Sequence, residues 1–248
     1  IVELKEVVRL APNDFRPHYL LAIMYSDFEQ HTDAIQQATD ALTKGATENV
    51  RKDLLLVTAR SQIALLQFDE ALEKLEQVPA CGEEALLRAR CLIAKGDATT
   101  VPSLIERAKQ ELGETPELAL LECDFLEQEN HPEEAATRLD ATLQKFSTNA
   151  ELLYRSSLLH KQLGHNDLAA QRLADWEVYR DLSTELTLLN LKAIQAPFDA
   201  EVRDRLAEIC TKLNKPELAT MWREAANACR EKSRQQGKST TDSSNKAE

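Results

Sequence analysis

The chain has 248 residues, a formal net charge of −12, 43% hydrophobic residues and only 6 glycines, enough for one large or two ordinary domains. Its 30 basic residues are dispersed among 42 acidic ones with no basic block, which excludes the clustered cations of a nucleic-acid-binding surface. No apolar run approaches the ~20 residues of a membrane span, so neither membrane insertion nor a nucleic-acid partner is expected.

Period-two alternation and hairpin dipeptides such as Asn-Gly are almost absent, whereas apolar residues recur every three or four positions. The chain therefore reads as all-α. Residues 1–11 resemble the second helix of a hairpin whose first half lies upstream. From there, short polar stretches at 29–33, 67–70, 96–97, 130–132, 164–167 and 214–216 read as turns between paired helices.

Aligning on these turns places a small residue in the middle of each first helix: Ala22, Ala59, Ala89, Cys123, Ser157 and Ala207. A second small residue falls early in most second helices: Ala34, Ala71, Ala135, Ala169 and Ala219. Small side chains are required where two antiparallel helices cross closely, so the ladders mark the contact inside each hairpin. The first ladder has spacings of 37, 30, 34, 34 and 50 residues.

That period is similar to the ~34 residues of tetratricopeptide repeats. In the first full unit, about 15–42, Leu21, Ala22, Tyr25, Ala34, Ala38 and Ala41 occupy the family's small and apolar positions, and Pro12 falls where the family closes the preceding unit. The units at about 116–143 and 150–176 keep the small positions but lose the large aromatic of the first helix. The third departs most, because Val101-Pro102 stands where the second helix should carry its Ala; that helix is expected to begin at or after Pro102. The resemblance implies a right-handed α-solenoid of about six repeats over residues 12–232.

The last spacing is about 16 residues longer than one unit. Tyr179, Leu182, Leu186, Leu189, Ala193 and Ala196 step by threes and fours through a stretch with neither Gly nor Pro. One long helix over 167–196 with a coiled-coil-like seam accounts for this, as does a break near 181–184, where Asp, Ser and Thr could cap a new helix. The long helix is favoured, with its seam covered by the final hairpin near Met221 and Trp222. Residues 233–248 are too polar to bury anything and read as a disordered tail.

Chemistry-bearing patterns do not converge. Five cysteines, 81, 91, 123, 210 and 229, form no Cys-x-x-Cys pair, and the five histidines show no metal-ligand spacing. No glycine-rich phosphate loop or nucleophile elbow occurs. No cofactor, metal or catalytic residue is expected, and the function reads as non-enzymatic binding of a partner protein or peptide.

The family's inward-facing first-helix positions correspond to Tyr19, Leu56, Leu86, Leu120 and Tyr154 at one level, then Ile23, Arg60, Arg90, Asp124 and Leu158, and deeper Ser26, Ile63, Ile93, Glu127 and Lys161. Two readings are open. The apolar residues can pack between helices while the charged ones are solvated, or the set can form an apolar groove whose arginines grip a partner's carboxylates. The carboxylate clamp of chaperone adaptors is excluded, because its Lys and Asn positions hold Arg16, Leu20, Ile23, Asp53, Val57 and Arg60. Two other functions fit the same text: a substrate-recognition arm of a larger enzyme resembling a protein glycosyltransferase, and a self-assembling homo-oligomer that stacks through open ends.

Overall fold

A computed structural model describes the backbone of residues 1–244, with the side chains of residues 1–232 and of Arg234. Among the described residues there are helices and no strand. In chain order they are α1 (Val2–Leu10), α2 (Phe15–Asp27), α3 (His31–Thr43), α4 (Glu48–Ala64), α5 (Phe68–Leu75), α6 (Gly82–Lys95), α7 (Val101–Leu112), α8 (Pro116–Gln128), α9 (Pro132–Leu143), α10 (Ala150–Gln162), α11 (Asn166–Gln195), α12 (Ala200–Lys212) and α13 (Pro216–Ser244).

Each hairpin closes in the same way. A left-handed residue ends the first helix at Glu29, Leu66, Gly96, Asn130, Gly164 and Asn214, with φ between 54° and 80°. The next amide donates back five residues, as from Gln30 to Tyr25 O (2.8 Å), Gln67 to Gln62 O (2.8 Å) and Lys215 to Cys210 O (2.8 Å). This is a Schellman closure, which satisfies carbonyls that a helix end leaves orphaned. The turns are shorter than their polar text: α3 already begins at His31 and α5 at Phe68. Asp33, Asp69 and Glu70 lie in first turns, where their charge offsets the helix dipole. α7 likewise starts one residue before Pro102, at Val101, and carries the proline in its first turn, where the missing amide costs nothing.

Both small-residue ladders are buried. Ala22, Ala59, Ala89 and Cys123 are fully enclosed, Ser157 and Ala207 nearly so, and Ala34, Ala71, Ala135, Ala169 and Ala219 lie opposite on the second helices. The Cys123 thiol reaches Ala135 O at 3.3 Å, a direct mark of the close crossing.

The chain divides into two compact units, residues 1–142 and residues 143 onward. In the first, each first helix packs on its own second helix and on the first helix of the next hairpin, so α2, α4, α6 and α8 form one row. α1 lays Ile1, Leu4 and Val8 against Leu21, Tyr25 and Ala34. Further along, Leu55, Leu56, Leu75 and Leu87 build one core, and Leu86, Leu104, Leu118 and Leu121 the next. The arrangement is an α-solenoid of stacked antiparallel hairpins.

In the second unit α11 is a single helix of 30 residues, about 45 Å long. Its first half pairs with α10, and its second half packs on α12. Leu186, Leu189 and Ala193 join Val202, Leu206 and Trp222 in one cluster, and Arg205 makes a two-pronged pair with Glu185 at 2.7 and 2.9 Å. Met221, by contrast, stays exposed. α13 continues to Ser244, so residues 233–244 are helical where composition alone reads as a disordered tail; residues 245–248 lie outside the described residues. Once nucleated by packing, a helix adds residues without needing to bury them, and Arg, Gln and Lys all propagate well.

Candidate functional site

In the first unit three of the inward positions are closed. Leu56 and Leu86 are 4% and 3% exposed and belong to the inter-helix cores, as does Ile63. These three are therefore spent on packing between helices. The row of first helices sits close enough that side chains at this register meet the neighbouring hairpin before they meet solvent. Ile23 and Leu120 are half-buried, and Ile93 packs against the core of the third hairpin. Tyr19 is half-buried beside Ala22 and Leu54, with its hydroxyl donating to Asp53 at 3.1 Å. Burial first, then the neighbouring Asp53, raises its pKa.

The charged positions follow a rule that the sequence spacing repeats. The residue after the buried small one is Arg60 in α4 and Arg90 in α6, and the residue six before it is Glu83 in α6 and Glu117 in α8. Each arginine pairs with the acid on the next first helix, Arg60 with Glu83 and Arg90 with Glu117, the latter at 3.2 Å. Both pairs are solvent-accessible, so each is worth only ~0–1 kcal/mol. A carboxylate arriving at either arginine would have to displace a resident one, at a cost no larger than that figure. The fourth unit carries exposed Asp124 at the arginine's place. Arg16, at a former clamp position, closes on its own N-cap Asp14 at 2.6 Å. The Arg16 side chain and amide together hold the Asp14 carboxyl down at about 2.

The second unit is built differently. Tyr154, Leu158 and Lys161 lie at i, i+4 and i+7 on α10 and share one face. Tyr154 and Leu158 are 42% and 43% exposed, and Leu173 of α11, 40% exposed, stands opposite. Ser157, Leu158, Lys161, Asn166, Ala169 and Leu173 line a cavity of about 240 Å3 between the two helices. Beside it the Tyr154 ring tilts against Trp176 with centroids 4.8 Å apart, and the Arg180 guanidinium sits 4.6 Å over the Trp176 ring. Two aromatic faces, two leucines and the exposed Lys161 ammonium are thus gathered on one hairpin. Leu173, Trp176 and Arg180 escape a reading confined to first helices. Their signal was a second apolar stripe early in α11, facing away from the Leu182–Ala193 seam.

Among the described residues no group of three or more His, Cys, Asp or Glu side chains gathers as a metal site would require. Burial pushes the Cys91 thiol up to about 11 and raises that of Cys210, which keeps both protonated and unreactive. His160 and His165 meet through their Nδ1 atoms at 3.1 Å across the α10–α11 turn, with His160 buried. Among the described residues no helix is long and apolar enough to cross a membrane.

No family model matches the sequence, and no curated protein matches it. Among solved structures the chain is similar to "Crystal structure of APC/C hetero-tetramer Cut9-Hcn1", with 12% identity and a TM-score of 0.60 over 91% of this chain and 42% of that one. It is also similar to "Human IFIT1 dimer with PPP-AAAA", with 16% identity and a TM-score of 0.55 over 92% of this chain and 57% of that one. A weaker likeness, TM-score 0.46 at 13% identity, covers 72% of this chain and 92% of "YrrB: a TPR protein with an unusual peptide-binding site". The fold is tetratricopeptide-like, and the chain spans about half the length of the first two structures.

Proposed function

We propose that the chain is a non-enzymatic scaffold that binds a partner protein or peptide, and that the α10–α11 face of the second unit is its contact. The carrying observation is the cavity of about 240 Å3 flanked by half-exposed Tyr154, Leu158 and Leu173 and by Lys161. Its chemistry suits an apolar side chain inserted between the helices, with a neighbouring carboxylate on Lys161 and a planar or apolar group on the Tyr154–Trp176 pair. The positions Tyr19, Ile23, Arg60, Arg90, Ile93, Leu120 and Asp124 then serve the first unit's cohesion more than recognition.

The test is a partner recovered by affinity capture and its Kd measured against variants. Leu158→Asp and Lys161→Glu should each weaken binding about tenfold or more, since each spoils a desolvated contact. Arg60→Ala with Arg90→Ala should change it little. The reverse pattern moves the contact to the first unit and overturns the assignment.

A second reading rests on a separate observation. Leu188, Leu191 and Ile194 on the far side of α11 are 63%, 55% and 77% exposed, an apolar strip that favours self-association. Light scattering across a concentration series separates a monomer from an assembling chain.

A further inference from the structure

A second cavity, of about 370 Å3, opens in the same unit among the segment leading into α10, the middle of α11 and the α12–α13 turn. Its polar lining comes from Lys145, Ser147, Thr148, Ser183, Asn214 and Lys215, with Phe146 as its aromatic wall. No aspartate or glutamate lines it, in a chain with 42 acidic residues. The nearby cations of this unit are already neutralised: Arg205 by Glu185 and Glu208, Lys212 by Glu208, and Arg230 by Asp204. Lys145 and Lys215 have no carboxylate partner among the described residues.

The walls are fixed and not merely adjacent. Thr148 donates through its hydroxyl to Leu213 O at 3.3 Å, tying the entry segment to the α12–α13 turn. Asn214 holds that turn at φ 54°, and the Lys215 amide is anchored on Cys210 O at 2.8 Å. Asn149, which lines the cavity with Ala150, caps α10 by accepting from the Leu152 amide at 2.9 Å, so the positive end of that helix lies at the cavity's edge. Lys145, Ser147, Ser183, Asn214 and Lys215, all exposed, thus border one open space with Asn149 and Thr148.

We propose that this cavity binds a phosphate-sized oxyanion, supplied either as the free ion or as the phosphoryl group of a phosphorylated peptide. A phosphoryl group carries nearly two negative charges and three acceptor oxygens at neutral pH, which two lysines and several hydroxyls match better than a single carboxylate would. The volume exceeds that of the ion and leaves room for the side chain bearing it. The acidity of the rest of the chain argues against a polynucleotide as the source. The inference does not depend on the apolar α10–α11 contact, which uses other residues.

The experiment is a titration of the full chain with inorganic phosphate at low ionic strength, read by calorimetry and by the 31P line width. Saturable one-site binding is expected, weakened about tenfold or more in Lys145→Gln/Lys215→Gln and unchanged in the control Lys44→Gln/Lys192→Gln. Circular dichroism identical to the parent establishes that the variants are folded. A short phosphoserine peptide and its unphosphorylated twin then separate the sources. Displacement of phosphate by the phosphopeptide alone identifies a peptide-borne group, and failure of both peptides leaves the free ion as ligand. Absence of saturable phosphate binding by the parent, or equal affinity in the parent and Lys145→Gln/Lys215→Gln, overturns the proposal. Leu158→Asp should leave phosphate binding intact, so a failed peptide contact and a failed oxyanion site give different results.

Discussion

The two units present the same register of first-helix positions in opposite states. In the first, Leu56, Ile63 and Leu86 are swallowed by the stack, and Arg60 and Arg90 are occupied by Glu83 and Glu117. In the second, Tyr154, Leu158 and Lys161 remain available, because α11 leaves α10 after its first half and turns its second half to the last hairpin. A repeat period thus specifies which side chains point inward. Whether they meet a neighbour or solvent depends on how the following helix is spent.

The largest test of this contrast is truncation at matched levels. Leu86→Ala should lose about 2–5 kcal/mol, as a core residue does, whereas Leu158→Ala should stay within about 0.5 kcal/mol. Denaturant unfolding read for both variants checks the pair. Equal losses would mean that the second unit is as closed as the first.

Overpacking the helix crossings comes next. Ala89→Leu has no space to enter and should cost about 1–3 kcal/mol. Ser157→Leu, beside the cavity of about 240 Å3, should cost clearly less because the new side chain can turn into it. Thermal melts of the two proteins should separate in that order.

A smaller effect is expected at the turns. Leu66 holds φ 61° with its side chain 74% exposed, a left-handed conformation that β-carbon sterics disfavour. Leu66→Gly should stabilise the first unit by about 1 kcal/mol, while Gly164→Ala, at φ 80°, should destabilise the second by a similar amount. Opposite signs in chemical denaturation are the readout.

The smallest concerns Asp14. Its folded carboxyl titrates at about 2, below the ordinary 3.8, so the cap is stabilising at neutral pH and loses that contribution as pH falls from about 4 through about 2. Carboxyl NMR should place its midpoint near that value, and Arg16→Ala should move it upward.

Much of this architecture is written in residue size. Ala22, Ala59 and Ala89 are legible because a close crossing admits nothing larger, and Gly96, Gly164, Asn130 and Asn214 because left-handed turns favour them. Glu29 and Leu66 perform the same turn without the chemical mark, so only the backbone reveals them. Depth was not legible: Leu56 and Tyr154 share a register, and nothing in either residue says that one is enclosed and the other half-exposed. Leu173, Trp176 and Arg180 were hidden for a different reason, lying on a second helix where the first-helix frame does not look. The oxyanion-type cavity joins segments 30 to 70 positions apart, from Lys145 through Ser183 to Lys215, which no local pattern connects.

The uniform hairpin closure also bears on how the chain acquires its structure. With an amide reaching back only five residues at each turn, every helix finds its antiparallel mate without closing a long loop, so the entropy of bringing distant segments together is small. Any hairpin can form first and recruit the next, and loss of one weakens its two neighbours more than the remote end. α11 is the exception, since its second half must wait for α12 and α13 to be synthesised before Leu186, Leu189 and Ala193 have anything to cover them. During synthesis that half-helix stays uncovered until both have emerged, an interval in which its apolar stripe is open to aggregation.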